Sequence, residues 1–523
     1  MFIKKCRLPA PIDLKISPEN DLASFGSPLE LSHCESNRRA MMKKIFLSGY
    51  GACVCDSTRI AARGLPVKKD RSAKRNGWPG EAVVYTLAFS RIARGPAIAL
   101  KSLFSNYRIT QLNPTDLFES LLTTTLENGP EAAALLLADQ MRREEKYPEL
   151  FEALKMLHRI ELGLPAVHTE ISSANTNPDL AEISPELQDQ LDKKLLGACA
   201  EVGTALMRKG NLQEGWMYMR AVGDRAATAD AMSKVPVTQD NLDTVLGLLV
   251  HEAIDIARGT KLSLEMRGTC NTITMLDTVV SMRGRSDQQA AVGTLVEHVH
   301  AELLSSLKAD IVRREKCDAS SPVHSTNSLE ELLSTRPTLL RDGTYHLDTT
   351  HLASTVRFAR ILDNETQLRL AVDLAQYGRQ LHSQYHYPSE EPFTDLYPMS
   401  LGMFRALLGE HVEAALKMFL QKAESLDPQE HGTVAIETYA DLLTRVGRPA
   451  EAMQFLIKKM PRGMRPFGIA PSLLELAEAS KDFQPMLSLA KERRDLVGYA
   501  AALLQSVTVR KVLPGMDAVP ENA

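Results

Sequence analysis

Residues 201–222 read EVGTALMRKGNLQEGWMYMRAV, and this spacing describes two short helices folded back on each other across a Gly-Asn turn. Gly203 and Gly215 are small enough to let two antiparallel helices approach closely, and Gly210 supplies the left-handed backbone that ends the first helix. Met219 and Val222 follow at packing positions of the second helix. Two such helices cannot bury their apolar faces by themselves, so the unit requires neighbours, and from about residue 110 onward similar hairpins recur. The expected fold class is all-α.

The offsets of Gly203, Gly210, Gly215, Met219 and Val222 resemble those of a tetratricopeptide repeat, with its small residue, turn, second small residue and packing positions. The repeat's usual Ala in the second helix is Gly215 here, and its closing Pro is Ala227. Weaker echoes follow. Gly402-Met-Phe-Arg-Ala-Leu-Leu-Gly409 with Ala414 and Met418 repeats the offsets, as does Ala440 to Gly447 with Ala452 and Leu456. Gly409 and Gly447 are one helical-hairpin period apart, roughly 34 to 47 residues. The resemblance covers about 200–232 and 395–460. It implies an α-solenoid of antiparallel hairpins whose concave groove binds a peptide or partner protein.

Composition agrees with helices: aromatics are only 5% of 523 residues, while Leu, Ala, Met and charged residues dominate. No apolar run approaches the roughly 18 residues of a membrane span. Met1 to Ala10 carries Lys4, Lys5 and Arg7 with no apolar stretch behind them, so neither a span nor a secretory signal is expected. A cytoplasmic location with reduced thiols follows, since the close pair Cys53 and Cys55 lacks a second pair at zinc-ligand spacing. Residues 1–110 hold 19 Lys or Arg against 8 Asp or Glu, and the remainder is acidic. The array is therefore a poor phosphate binder, and any nucleic-acid contact falls to the basic leader with its run Lys68, Lys69, Arg71, Lys74 and Arg75. A start codon upstream of the native one would also yield such an unpatterned leader.

Five segments follow from these patterns: a basic, largely disordered leader over 1–107; N-terminal hairpins over 108–232; a central long-helix region over 233–390; tetratricopeptide-like helices over 391–508; and a frayed tail over 509–523. Within the leader, the short apolar pieces Val83 to Phe89 and Ala97 to Leu103 have helical potential. Gly129-Pro130 and Arg267-Gly-Thr-Cys-Asn271 read as breaks between helices. Apolar stripes predict one helix over 240–258 and another over 288–314 through Val292, Leu295, Val299, Leu303, Leu307 and Ile311. Asp348 or Thr349 caps a helix reaching Leu362. Further helices are expected over 365–386, 396–408, 411–425, 430–446, 449–459, 471–480, 483–493 and 496–507.

Phosphate-loop, dinucleotide, nucleophile-elbow and paired-thiol signatures are all missing. Chemistry, if present, rests on the histidines, most of which lie between His251 and His431. His382 and His386 are four apart on a predicted helix and could share a divalent metal. His298 and His300 point about 200° apart on a helix, so His298 is paired instead with Glu302. His351, one turn after an Asp348 cap, favours a neutral imidazole, and Arg357 with Arg360 could hold an anion. Across stacked helices, His251, Glu252, His298, Glu302, His346 and His351 could converge on a metal, as facing helices of bundles do. The primary expectation is an interaction scaffold without a cofactor. The competing one is a metal-binding or metal-dependent helical enzyme using 251–360.

Overall fold

The computed structural model describes residues 114–167, 184–318 and 320–512. Every regular element among the described residues is a helix, twenty α-helices in all, and no strand occurs there. The leader expected over 1–107 lies outside the described residues, as do residues 168–183 within the expected N-terminal hairpins. The described chain forms two compact units: residues 114–167, 184–205 and 217–222 make one, and residues 206–216 with 223–512 make the other.

In the first unit, α1 (Pro114–Arg143) is interrupted at Gly129, whose φ of 88° is non-helical, where Gly-Pro predicts a break. Its second half buries Ala133, Ala134, Ala138 and Met141 beside α2 (Tyr147–Glu161), which contributes Leu150, Phe151, Leu154 and Leu157. The N-terminal part of α3 (Pro185–Arg208) adds Leu191, Leu195, Ala198 and Val202, and Lys194 reaches Glu161 at 2.8 Å. From α4 (Leu212–Val222), Tyr218 places its ring 5.1 Å from that of Phe151.

The second unit continues with α5 (Arg225–Ser233), capped by Asp224, and α6 (Leu242–Leu246). The single helix expected over 240–258 does not form. α6 runs into a π turn over Gly247–His251, the chain turns at Ala253 with φ 55°, and α7 (Ile256–Thr278) starts afresh behind the Asp255 cap. The reason is a close approach: Gly259 sits against Val250 and Leu249, where a Cβ would come within 2.5 Å of Val250 Cγ2. α7 breaks in turn at Gly268, φ 83°, as Arg267 to Asn271 predicts.

α8 (Arg285–Glu315) carries the expected stripe, and Val292, Leu295, Val299, Leu303, Leu307 and Ile311 are all buried. It packs on α7, α11 (Thr349–Ala359) and α12 (Glu365–Gln380), after the short α9 (Pro322–Ser325) and α10 (Leu329–Ser334). Asp348 caps α11 as predicted, accepting from Thr350 N at 2.8 Å and His351 N at 3.1 Å. α12 ends at Gln380, six residues short of the predicted 386, because Leu381 and His382 turn extended.

The remaining helices follow the predicted boundaries closely: α13 (Leu396–Leu407), α14 (Val412–Ser425), the short α15 (Pro428–His431), α16 (Val434–Arg445), α17 (Pro449–Lys459), α18 (Leu473–Ser480), α19 (Gln484–Arg493) and α20 (Leu496–Val512). α20 is helical through Val512, and the rest of the tail expected over 509–523 lies outside the described residues. Phe419, Leu442, Leu456 and Leu476 share one core, with Tyr439 edge-on to Phe455 at 4.7 Å.

Three of the repeat glycines end their helices alike. Gly210, Gly409 and Gly447 have φ of 89°, 83° and 84°. Each donates its N–H three residues back, and the next residue donates five back, as in Asn211 N to Leu206 O at 3.1 Å, Glu410 N to Arg405 O and Arg448 N to Leu443 O, both at 2.8 Å. Lys481 and Arg494 close their helices the same way at φ 59° and 58°, with no glycine to announce them. Gly203, Gly215, Met219 and Ala452 are buried, and a Cβ on Gly402 would lie 2.8 Å from Met418 Cε. Ala414 is exposed, contrary to its expected packing role; the buried residue is Ala415, one step round the helix.

A Cβ at position 447 would meet nothing within 4 Å, so its cost is conformational alone. Gly447→Ala is expected to lower unfolding free energy by about 1–2 kcal/mol in denaturant titration, whereas Lys481→Gly shifts the transition the other way.

Candidate functional site

The histidines of the central region belong to helix seams. On α8, residues 300, 303, 307 and 310 recur at helical spacing, and Leu303, Leu307, His300 and Asp310 are all buried. α12 answers with Asp373 and Tyr377, four apart. His300 Nε2 lies 3.0 Å from Asp373 Oδ2. Beyond Leu303 and Leu307 on the same seam, Asp310 receives His346 Nε2 at 3.0 Å, Arg314 Nε at 2.6 Å, and Arg313. The His346 backbone N–H donates to the Tyr377 hydroxyl at 2.7 Å. Burial would raise the Asp310 carboxyl, but hydrogen bonds from Arg313, His346 and Arg314 prevail and hold it well below the usual carboxylate range. Burial pushes the Tyr377 phenol upward against the opposing hydrogen bond from His346.

The other predicted residues have separate environments. His251 is exposed at the edge of an open depression of about 550 Å³ lined also by Arg267, Asn271 and Met275. Glu252 closes the π turn, its N–H bonded to Gly247 O. His298 is half-buried and Glu302 exposed, so the buried member of the His298/His300 pair is His300. His351 is half-buried behind the Asp348 cap. Arg357 grips both oxygens of Asp277 at 3.0 Å. Arg360 turns away onto the Phe393 ring, 3.5 Å from its centroid, with Nε 3.2 Å from Ser400 Oγ. Burial, then the nearby Arg357 charge, pushes Arg360 down to about 9. The anion clamp expected from Arg357 and Arg360 is thus divided between different partners. His382 and His386 follow the end of α12 and share no helical face; His382 Nδ1 accepts from Gln384 N, and His386 Nε2 is 3.2 Å from Gly378 O.

Among the described residues, no three or more His, Cys, Asp and Glu side chains are grouped to hold a metal ion. The six residues expected to converge therefore form no such cluster. Asp373 lines a polar cavity of about 200 Å³ with Glu330, Ser334, Gln376 and Gln380. The Asp373 carboxylate, not the His300 imidazole, borders this space.

Several polar residues central to the structure escaped sequence reasoning. Glu437, buried on α16, accepts from Phe467, Gly468 and Ile469 N–H groups at 2.8, 2.8 and 2.9 Å, filling a backbone nest with the chain's own carboxylate. Asp441 and Arg445 are both buried 3.2 Å apart, joined by Arg285 and Asp363. Burial raises the Asp441 carboxyl against the pull of Arg445 and Arg285. The available signal was a polar residue in an apolar register, as in Val434-Ala-Ile-Glu-Thr-Tyr-Ala440. Cys199 is buried, and desolvation pushes its thiol up to about 11, the state of an inert packed cysteine.

The exposed surface carries a different signal. On α20, Leu496, Val497, Leu503, Leu504 and Val507 are exposed, Leu496 and Val497 by 79% and 80%. They recur at i, i+1, i+7, i+8 and i+11, one face of a helix. No charged residue occurs from Leu496 to Thr508. No helix among the described residues is long and apolar enough to cross a membrane.

The Asp310 carboxylate is favoured in the folded state, so its contribution is present above the unfolded value of about 3.9 and is lost as pH falls below it. Asp310→Asn is expected to reduce stability at neutral pH by about 3 kcal/mol, with the gap to the parent closing toward pH ~2 in acid-unfolding curves. Comparison of the chain with protein families, with curated proteins and with solved structures gave no match.

Proposed function

We propose that the chain is a helical-repeat scaffold, tetratricopeptide-like in its stacking, that binds another protein along an apolar helix face. The observation that carries this reading is α20. From Leu496 to Thr508 α20 carries no charged residue, and Leu496, Val497, Leu503, Leu504 and Val507 on one of its faces are exposed. Exposed contiguous apolar surface of this kind marks interaction sites. Full burial of a Leu or Val contributes about 1.5–3 kcal/mol, so Leu496, Val497 and Leu504 suffice to anchor a partner against the ordering cost of association. The internal carboxylates support the same reading, because Asp310, Glu437 and Asp441 are occupied by donors from their own chain. In this proposal α20 forms one wall of the groove that the repeat resemblance implies.

The test places a photo-crosslinking amino acid at Leu504 in the full chain, expressed in its own cells. A discrete adduct with another protein is expected, falling about tenfold in yield when Leu496→Glu is added, the equivalent of about 1.4 kcal/mol. No adduct, or one indifferent to Leu496→Glu, would discard this surface as the docking site.

A further inference from the structure

Two helices leave a line of apolar side chains uncovered by any described residue. One is α20. The other is the first half of α1, residues 114–128, where not one residue from Asp116 to Asn128 is buried. Phe118, Leu122 and Leu126, four apart, are exposed by 75%, 63% and 77%. A helix of this length is marginal in water by itself, and this one is severed at Gly129 from the half of α1 that packs beside α2. Its persistence requires something against the Phe118 line.

The charges that bound the two faces are opposite in sign. On α1, the exposed Asp116 and Glu119 flank Phe118 and the exposed Glu127 follows Leu126, while residues 114–128 include no Lys or Arg. The exposed Lys491 and Arg494 precede α20, with Lys491 Nζ 5.5 Å from the ring centre of Tyr499 on that helix. Arg510 and Lys511 stand in its last turn. The acids near its start are already engaged, Glu492 with Arg462 and Asp495 with the Gly498 N–H at 2.9 Å. Two α1 faces together would set carboxylate against carboxylate, and two α20 faces cation against cation, both unfavourable. An α1 face on an α20 face covers both apolar lines and brings acid toward base at each end, whichever way the helices run.

We infer that the partner docking on α20 is a second copy of the chain, which presents the first half of its α1. This rests on the reading of α20 as a docking face and names its occupant. The two patches differ, so the contact is heterologous: a copy held through its α20 still offers its own α1, and copies add head to tail into a ring or an open chain.

Light scattering of the full chain over a concentration series tests this. The parent mass is expected to rise above that of the monomer as concentration increases. Phe118→Glu/Leu122→Glu, changed on α1 alone, and Leu496→Glu/Leu504→Glu, changed on α20 alone, are each expected to stay monomeric with helicity unchanged, since all four positions are exposed. Mixed in equal amounts, the two variants keep one intact face each, and are expected to form a dimer and grow no further. A parent that is monomeric at every concentration, an α1 variant that still associates, or a mixture that stays monomeric overturns the inference. If the parent is monomeric while the Leu504 adduct contains a different protein, α20 stands as a docking face and only this occupant falls; with no adduct either, both readings fall.

Discussion

A helix of one or two turns' worth of apolar surface has no stable existence alone, and the chain meets this constraint by ending helices abruptly so that the next one can be packed beside them. The device is a left-handed residue after the last turn, seen at Gly210, Gly409 and Gly447 and without glycine at Lys481 and Arg494. The two N–H groups that follow satisfy carbonyls which would otherwise face the neighbouring helix unpaired. Everything downstream depends on these reversals. They set α16 against α17, bring Tyr439 onto Phe455, and allow one core to run through Phe419, Leu442, Leu456 and Leu476.

Onto this apolar stacking the second unit adds a small number of buried polar pins. Each accepts from a donor of another segment: Asp310 from His346, Glu437 from the loop at 467–469, and Asp441 from Arg285, beside Arg445 of its own helix. Arg445 also donates to the carbonyls of Arg360 and Leu362, holding the end of α11. Buried ion pairs contribute less to stability than their Coulomb energy implies, yet losing one partner is costly because the other is left unpaired. The pins therefore set which helices meet, while the apolar surface supplies most of the favourable free energy.

Much of the fold was legible locally. The 3.6-residue period of α8 and the boundaries of α13, α14, α17 and α19 are written in apolar spacing and in turn glycines. Asp348 was legible as a cap because capping is a contact between residues two and three apart. The failures are equally physical. The expected helix over 240–258 broke because Gly259 packs tightly on Leu249 and Val250, a contact that periodicity does not encode. Ala414 was chosen over Ala415 because a spacing rule locates a helical face only to within a residue.

The histidines show the same division. His298 and His300 were correctly separated by helical geometry, but which of them is buried depends on the side of α8 that α12 covers. By itself the sequence determined that this chain is helical, where most of its helices end, and which stripes must be covered, because those properties arise from residues a few positions apart. Only the tertiary structure decided that His346 meets Asp310, that His300 meets Asp373, and that Arg357 and Arg360 take different partners. Those pairings join residues far apart in the chain, and their distances are set by packing.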